Sequence, residues 1–301
     1  VLATAINETL TGLGAKYSRQ DIAHIGVAPF DPIGNTPGIL AAANEAYEKA
    51  KLIRANSYYF RTEEEQAKDI TEWKPLVHRI IDERDFKVSF VGQVESFRTG
   101  EVLMEEAFTQ AFDEEGNSIP IGTFVSIAEK FEKVVDLDQG VIHKVIQYIS
   151  LRQIQHRIAV NLSMSTIKDG NFKIWLMDVL KQNQALAEQM VFSITAYAAA
   201  KDIKLFSEFI NFAHSHGAKI ILKRYETQFI SLDIVKEVKP DFIRLARDLT
   251  HGINADASKK MFVESMKEVS ELLDIEVYAE NVKADADFET VKVIGISGAS
   301  R

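Results

Sequence analysis

Cysteine is absent from this 301-residue chain, which excludes disulfides, thiolate nucleophiles and zinc ribbons and fits a reducing compartment. No apolar run approaches the roughly 20 residues needed to cross a bilayer, and no secretory leader opens the chain. The seven histidines form no HExxH or other close ligand pattern, and His214 and His216, in FAHSHG, are expected near a helix end as surface or capping residues. Basic charge is in deficit as well. Against 44 acidic residues stand 35 Lys and Arg, a net charge of −9 that argues against broad nucleic-acid binding, because phosphate contacts need a basic stripe. No glycine-rich phosphate loop follows any predicted strand.

What is present is 46% hydrophobic residues, enough for one large core or two modest ones. Residues 2 to 14 read as a helix, DIAHIGVAPF (21 to 30) as a strand, and PGILAAANEAYEKAKLIRANSYYF as an alanine-rich helix leading to a strand that ends near Phe60. The charged run 61 to 76 reads as a helical connector, which places a domain boundary near residue 68. Beyond it, strands are expected at 86–94, 101–108, 156–163, 190–195, 218–222, 241–245, 275–280 and 291–296. Helices are expected between them at 121–134, 138–151, 170–183, 201–216, 231–238 and 257–273. This alternation predicts a parallel sheet closed into a TIM-like (β/α)8 barrel, with an open doubly wound sheet as the weaker alternative. Trp73 and Trp175 are expected to pack apolar helix faces rather than to serve as ligand platforms.

In such a barrel the polar residues at strand ends carry the chemistry. The residues that matter at those ends are, in order, Glu106, Asn161, Ala196, Lys223, Arg224, Arg244, Ala246 and Glu280, the two alanines entering the set through the resemblance given next. The surrounding segments TGEVLMEEAF, IPIGTFVSIAEKF, VNLS, HGAKIILKRYETQFISL, DFIRLARDL and VYAENV together resemble the EAL domain of bacterial cyclic di-GMP signalling, from about residue 75 to 301. Similarly, HIGVAPF and AANEAYEKAKLIRAN resemble the latter half of a GGDEF domain. The resemblance therefore implies two parts: 1–68 as part of a small α/β GGDEF-like domain and 69–301 as an EAL-like barrel.

Active EAL domains carry Glu, Asn, Glu, Asp, Asp, Lys, Asp and Glu at those eight positions and use them to hold divalent metals and hydrolyse a phosphodiester. Here the resemblance implies loss of that function. Ala196 and Ala246 remove two ligands, Lys223 and Arg224 replace the paired aspartates, and Arg244 replaces the lysine that assists the attacking water. A unit cation about 4 Å from a divalent metal costs on the order of 8 kcal/mol at an effective dielectric of about 20. Lys223 and Arg224 are instead expected to offset the charges of Glu106 and Glu280, Lys223 facing inward and Arg224, its strand neighbour, facing either the mouth or solvent.

The expected function is thus a catalytically inactive signalling protein, a receptor or protein-interaction scaffold, with no catalytic residues, no cofactor and no bound metal. FDEEGNSIPIGTFVSIAEKF and ILKRYETQFISL resemble the LapD receptor group in texture, with a CsrD-like regulator of RNA turnover as the second choice. A metal-dependent phosphodiesterase with atypical ligands is the enzymatic alternative. Affinity for cyclic di-GMP is expected to be weak or absent, because the family's YQP reads VGQ at 91 to 93, an arginine becomes Gln110, and the terminal QG becomes Ser300 and Arg301. A protein partner is expected, and the resemblance makes SMSTIKDGNFKIWLMDVL (163 to 180) a dimerisation surface. Because Val1 stands first, the chain is expected to be the cytoplasmic part of an inner-membrane protein whose membrane segments lie outside it.

Overall fold

The computed structural model describes residues 2–16, 21–29, 36–53, 55–61 and 70–301. They form two compact units, one of Val1–Phe86 with Gln110–Val134 and one of Lys87–Thr109 with Val135–Arg301. The expected boundary near residue 68, and the first part of the expected connector, lie outside the described residues.

In the first unit, β1 (Ile25–Val27) and β2 (Tyr58–Phe60) pair in parallel beside the helices Leu2–Lys16 and Thr36–Ile53. Gly26 is required there: a Cβ would lie 2.2 Å from the Tyr47 backbone nitrogen. A helix over Ile70–Asp82 follows. Its half-buried Trp73 is the first of the two tryptophans expected to pack.

The second unit holds a closed barrel. Its strands are β3 (Phe86–Ser96), β4 (Val102–Phe112), β6 (Arg157–Asn161), β7 (Met190–Thr195), β8 (Lys219–Tyr225), β9 (Phe242–Leu245), β10 (Glu276–Ala279) and β11 (Gly298–Ser300), while the short β5 (Ser118–Ile119) and the last residues of β4 with which it pairs are grouped with the first unit. From β4 through β6 to β11 every neighbouring pair is parallel, and β3 closes the ring between β11 and β4. Buried runs such as MVFSI in β7 are what a parallel strand covered on both faces requires. Aspartate and serine N-caps start the intervening helices: Asp169 accepts from Phe172 N at 2.7 Å, Asp202 from Leu205 N at 3.0 Å and Asp256 from Ser258 N at 2.9 Å. Trp175 packs on Phe172 and His143, as expected.

Two expectations fail for identifiable reasons. β3 runs antiparallel to β11, so the sheet is not wholly parallel. Only the turn from Phe97 to Glu101, with Gly100 at φ +73°, joins β3 to β4, and a parallel crossover needs a dozen or more residues. VKVIGI is not a strand either: the helix Asp285–Ile294 runs through it, burying Val291 while Val293 is exposed, and Gly295 at φ +87° ends it. The last strand lies beyond, at β11.

His214 and His216 sit at the end of the helix Ile203–Ser215, His214 bonding Asp241 at 2.7 Å and His216 the Phe212 carbonyl at 2.8 Å. Asp241 also accepts from Ile220 N and Lys219, tying the start of β8 to that of β9. Inside the barrel, Val94, Met104, Ala159, Val191, Ile221, Phe242 and Tyr278 form one apolar layer, each from a different strand. Side chains alternate along a strand, so the next inward residues toward the carboxyl ends are Glu106, Asn161, Ser193, Lys223, Arg244 and Glu280. A polar layer therefore rests on an apolar floor.

The closing seam tests this architecture. A Cβ on Gly298 would lie 2.4 Å from the Glu95 carbonyl, whereas one on Gly122 would meet nothing within 4 Å. Gly298→Ala is expected to cost on the order of 3 kcal/mol by urea denaturation, and Gly122→Ala to leave stability within about 1 kcal/mol of the parent. Equal midpoints for the two variants would contradict the seam geometry.

Candidate functional site

The polar layer is organised around Glu106, whose side chain is only 12% exposed. Its Oε1 accepts from the Lys223 ammonium and from Asn161 Nδ2 at 2.8 Å, and its Oε2 accepts from Arg244 Nη1 at 2.9 Å. Arg244 is 2% exposed, its other terminal nitrogen reaching Met104 Sδ at 3.9 Å. Its Nε is buried with no hydrogen-bond partner among the described residues. Glu280, just past β10 and 7% exposed, accepts from Arg247 Nη2 at 3.2 Å through one oxygen, and its other oxygen is buried without a partner among those residues.

A bulge separates Lys223 from Arg224. Leu222 pairs with Ile243 and Tyr225 with Leu245, so three steps along β8 match two along β9. The extra residue is Arg224, exposed and left-handed at φ +52°. Of the two adjacent cations, only Lys223 is buried in the mouth, and the second buried cation is Arg244. Ala196, fully buried, opens the short helix Ala196–Ala200 capped by Thr195, and Ala246 caps Arg247–Thr250 while its N–H donates to the Tyr225 carbonyl at 3.2 Å. Each offers only a methyl group. Arg247 is the participant that strand-end reasoning missed, because it lies one residue past Ala246 at the head of a four-residue helix.

The other marked positions do not join this cluster. Val91, Gly92 and Gln93 are exposed on β3, where Gln93 donates to Glu105 at 2.7 Å while His156 holds the other Glu105 oxygen at 2.8 Å. Gln110 lies near the end of β4. Ser300 receives Asn281 N at 2.9 Å on its hydroxyl and Val282 N at 2.8 Å on its carbonyl, steadying the loop after Glu280, and Arg301 pairs with Asp285 at 2.9 Å over the Phe288 ring.

Burial alone would raise the Glu106 carboxyl, but the charges of Lys223 and Arg244, with the Asn161 and Lys223 hydrogen bonds, hold it at about 2. Burial pushes the Lys223 ammonium below the usual lysine range, against the pull of Glu106 and Glu280. The cost of desolvation therefore falls on the ammonium, while the carboxylate is firmly ionised. These residues do not fit a divalent cation. Glu106 is saturated by two cations and an amide, only one Glu280 oxygen remains, and Ala196 and Ala246 supply no donor. Among the described residues no group of three or more His, Asp or Glu side chains is placed to hold a metal.

The sign of the pH dependence follows. A carboxyl whose folded value lies near 2, below its ordinary 4.5, stabilises the fold above about pH 4.5, and that contribution is lost as pH falls toward 2. It amounts to about 3 kcal/mol at roughly 1.4 kcal/mol per pH unit. Glu106→Gln is expected to be less stable than the parent at pH 7, with the gap narrowing by about that amount between pH 5 and pH 2 in urea titrations. A gap that is constant across that range would show that Glu106 is not held ionised.

Comparison with known proteins agrees with this fold. The EAL domain model matches residues 76–299. The chain is 24% identical over 181 residues to the cyclic di-GMP phosphodiesterase PdeA of Borreliella burgdorferi, covering 59% of this chain and 27% of that protein. It is 19% identical over 284 residues to the RNase E specificity factor CsrD of Escherichia coli, covering 93% of this chain and 43% of CsrD. The chain thus spans less than half the length of these curated relatives. Among solved structures, the S helix-GGDEF-EAL portion of Vibrio cholerae LapD, bound to c-di-GMP, matches with a TM-score of 0.80 at 23% identity, over 91% of this chain and 67% of that one. The eight-stranded barrel with its antiparallel first strand, and a family model spanning most of its length, lead to one conclusion: the chain belongs to the EAL domain family.

Proposed function

We propose that this EAL barrel is a non-catalytic module of cyclic di-GMP signalling that acts as a receptor-like or scaffolding element through protein contacts. The observation that carries the reading is the saturation of Glu106, the first ligand position of the family pattern, by Lys223, Arg244 and Asn161. A carboxylate so engaged has no charge left to attract Mg²⁺ or Mn²⁺, and the site has no carboxylates at 196, 223 and 246 to recruit one.

Residues 1–68 are read as the latter part of a GGDEF-like domain, and 69–301 as the barrel domain. Supporting this are the parallel β1–β2 pair beside an alanine-rich helix and the similarity to the S helix-GGDEF-EAL portion of LapD. The scaffold alternative, a regulator of RNA turnover, draws on the relative described as an RNase E specificity factor, which aligns with 93% of this chain. No helix among the described residues is long and apolar enough to cross a membrane; placement on the cytoplasmic side of an inner-membrane protein belongs to the same proposal.

Purified protein with Mg²⁺ or Mn²⁺ is expected to show no turnover of cyclic di-GMP above blank, and turnover abolished by a chelator would reject the proposal. Calorimetry without metal is expected to give weak or no binding of cyclic di-GMP, since Gly92, Gln110, Ala196 and Ala246 stand at the family's contacting positions. A submicromolar dissociation constant would instead establish a receptor for that ligand. No heat, together with a stable protein partner in a pull-down, would favour the scaffold.

A further inference from the structure

The first unit holds a polar network of its own where the approaches to β1 and β2 meet. Asn56, just before β2, accepts from Ile22 N at 2.7 Å and Ala23 N at 3.3 Å, and its own N–H donates to Asp21 at 3.1 Å. His24 sits inside this frame with its side chain 8% exposed, Nε2 lying 3.1 Å from Asp21 Oδ2 and Nδ1 3.2 Å from Ser57 Oγ. The Ser57 hydroxyl in turn donates to the Ala50 carbonyl, in the last turn of the helix Thr36–Ile53.

Donor counting fixes the roles. Ser57 has one hydroxyl hydrogen and a carbonyl can only accept, so that hydrogen belongs to the bond with Ala50. Toward His24, Ser57 Oγ therefore presents a lone pair, and Nδ1 has to donate. The Asp21 carboxylate also only accepts when ionised, so Nε2 has to donate as well. A neutral imidazole has a single N–H and would leave one of the two contacts facing lone pair to lone pair; the imidazolium supplies both hydrogens. Of the charged groups around the ring, Asp21 lies on its own segment, and the helix presents the Tyr47 ring at 6.5 Å with Lys51 above that ring and paired to Glu48. The approach to β2 presents the neutral Asn56 and Ser57. The carbonyl end of the helix is one hydroxyl away, and helix C-termini favour cations.

We propose that His24 is held as an imidazolium ion that latches the segment entering β1 to the segment entering β2 and, through Ser57, to the end of the helix, so that the pairing of the two strands depends on one proton. Loss of that proton leaves Nδ1 and Ser57 Oγ as two acceptors: the contact breaks, or the hydroxyl turns to the ring and abandons the Ala50 carbonyl. The latch is therefore complete on the acid side of histidine's ordinary range, between about pH 5 and pH 8, and is lost as pH rises through it. The inference concerns the first unit and does not depend on what the barrel mouth binds.

The full chain labelled with ¹⁵N-histidine reports the ring directly. At pH 7 His24, identified by the signal missing from His24→Gln, is expected to carry hydrogens on both ring nitrogens, and a single protonated nitrogen would overturn the proposal. Should His24→Gln not fold, through-bond correlation from the His24 backbone assigns the ring in the parent chain, so the spectrum still decides. Amide exchange reads the latch itself, through Ile25 N, bonded to the Ser57 carbonyl at 3.0 Å, and Arg61 N, bonded to the Val27 carbonyl at 2.7 Å. Corrected for intrinsic rates, their protection is expected to fall roughly tenfold from pH 6 to pH 8, the equivalent of one lost hydrogen bond. Ser57→Ala removes the lone pair that obliges Nδ1 to donate; it is expected to keep the Asp21–His24 contact and to flatten that response. An equal fall in Ser57→Ala would show that the pair with Asp21 acts alone and would overturn the latch, as would protection in the parent that does not change with pH.

Discussion

The barrel mouth depends on how a carboxylate survives inside it. Glu106 stands one inward position above Met104, itself part of the apolar layer, and such a position penalises charge. Stability there comes from geometry: two cations, one on each oxygen, and an amide donor on the oxygen nearer Lys223. Buried pairs of this kind contribute modestly when complete and cost several kcal/mol when one member is removed. The cluster therefore constrains β4, β6, β8 and β9 together, since each supplies one of its members.

The bulge in β8 is what makes that constraint satisfiable. In a regular strand Lys223 and Tyr225 would share one face and Arg224 the other. The inserted residue lets Lys223 enter the mouth and Tyr225 pack in register with Leu245, with Arg224 absorbing the irregularity in a left-handed conformation. Burial of the Tyr225 hydroxyl raises its proton affinity to about 12, so the residue after the bulge is neutral and acts as core. A dipeptide that looks like paired charge in sequence becomes one structural cation and one surface cation.

Much of this was legible before any coordinates. Continuous apolar runs such as MVFSIT can only be doubly covered strands, and their alternation with capped helices leaves a parallel ring as the economical arrangement. Period two along each strand then predicts that Glu106, Asn161, Lys223 and Arg244 share the interior. What was not legible depends on single local events. The direction of β3 is decided by a turn too short for a crossover, and VKVIGI mimics a strand because its valines alternate, although an acidic helix start and Gly295 make it a helix end. Arg247 escaped notice because its role follows from where a four-residue helix begins, which no hydrophobic period announces.

A dissociable ion in a protein site stabilises the occupied state by an amount that depends on its concentration, so occupancy can carry information. An ammonium group on a four-carbon stem has no such dependence: its effective concentration is set by the backbone and does not vary with the medium. Lys223 and Arg244 therefore make the charge balance around Glu106 a fixed property of the fold. The half-satisfied member is Glu280, held through one oxygen by Arg247, whose side chain is 60% exposed. Exposed ion pairs are weak and exchange readily, unlike the saturated pair beside them. If the mouth responds to anything that docks on it, the response has to pass through the Arg247–Glu280 contact, because it is the one ion pair in the cluster that solvent or a partner can reach without first dismantling the barrel interior.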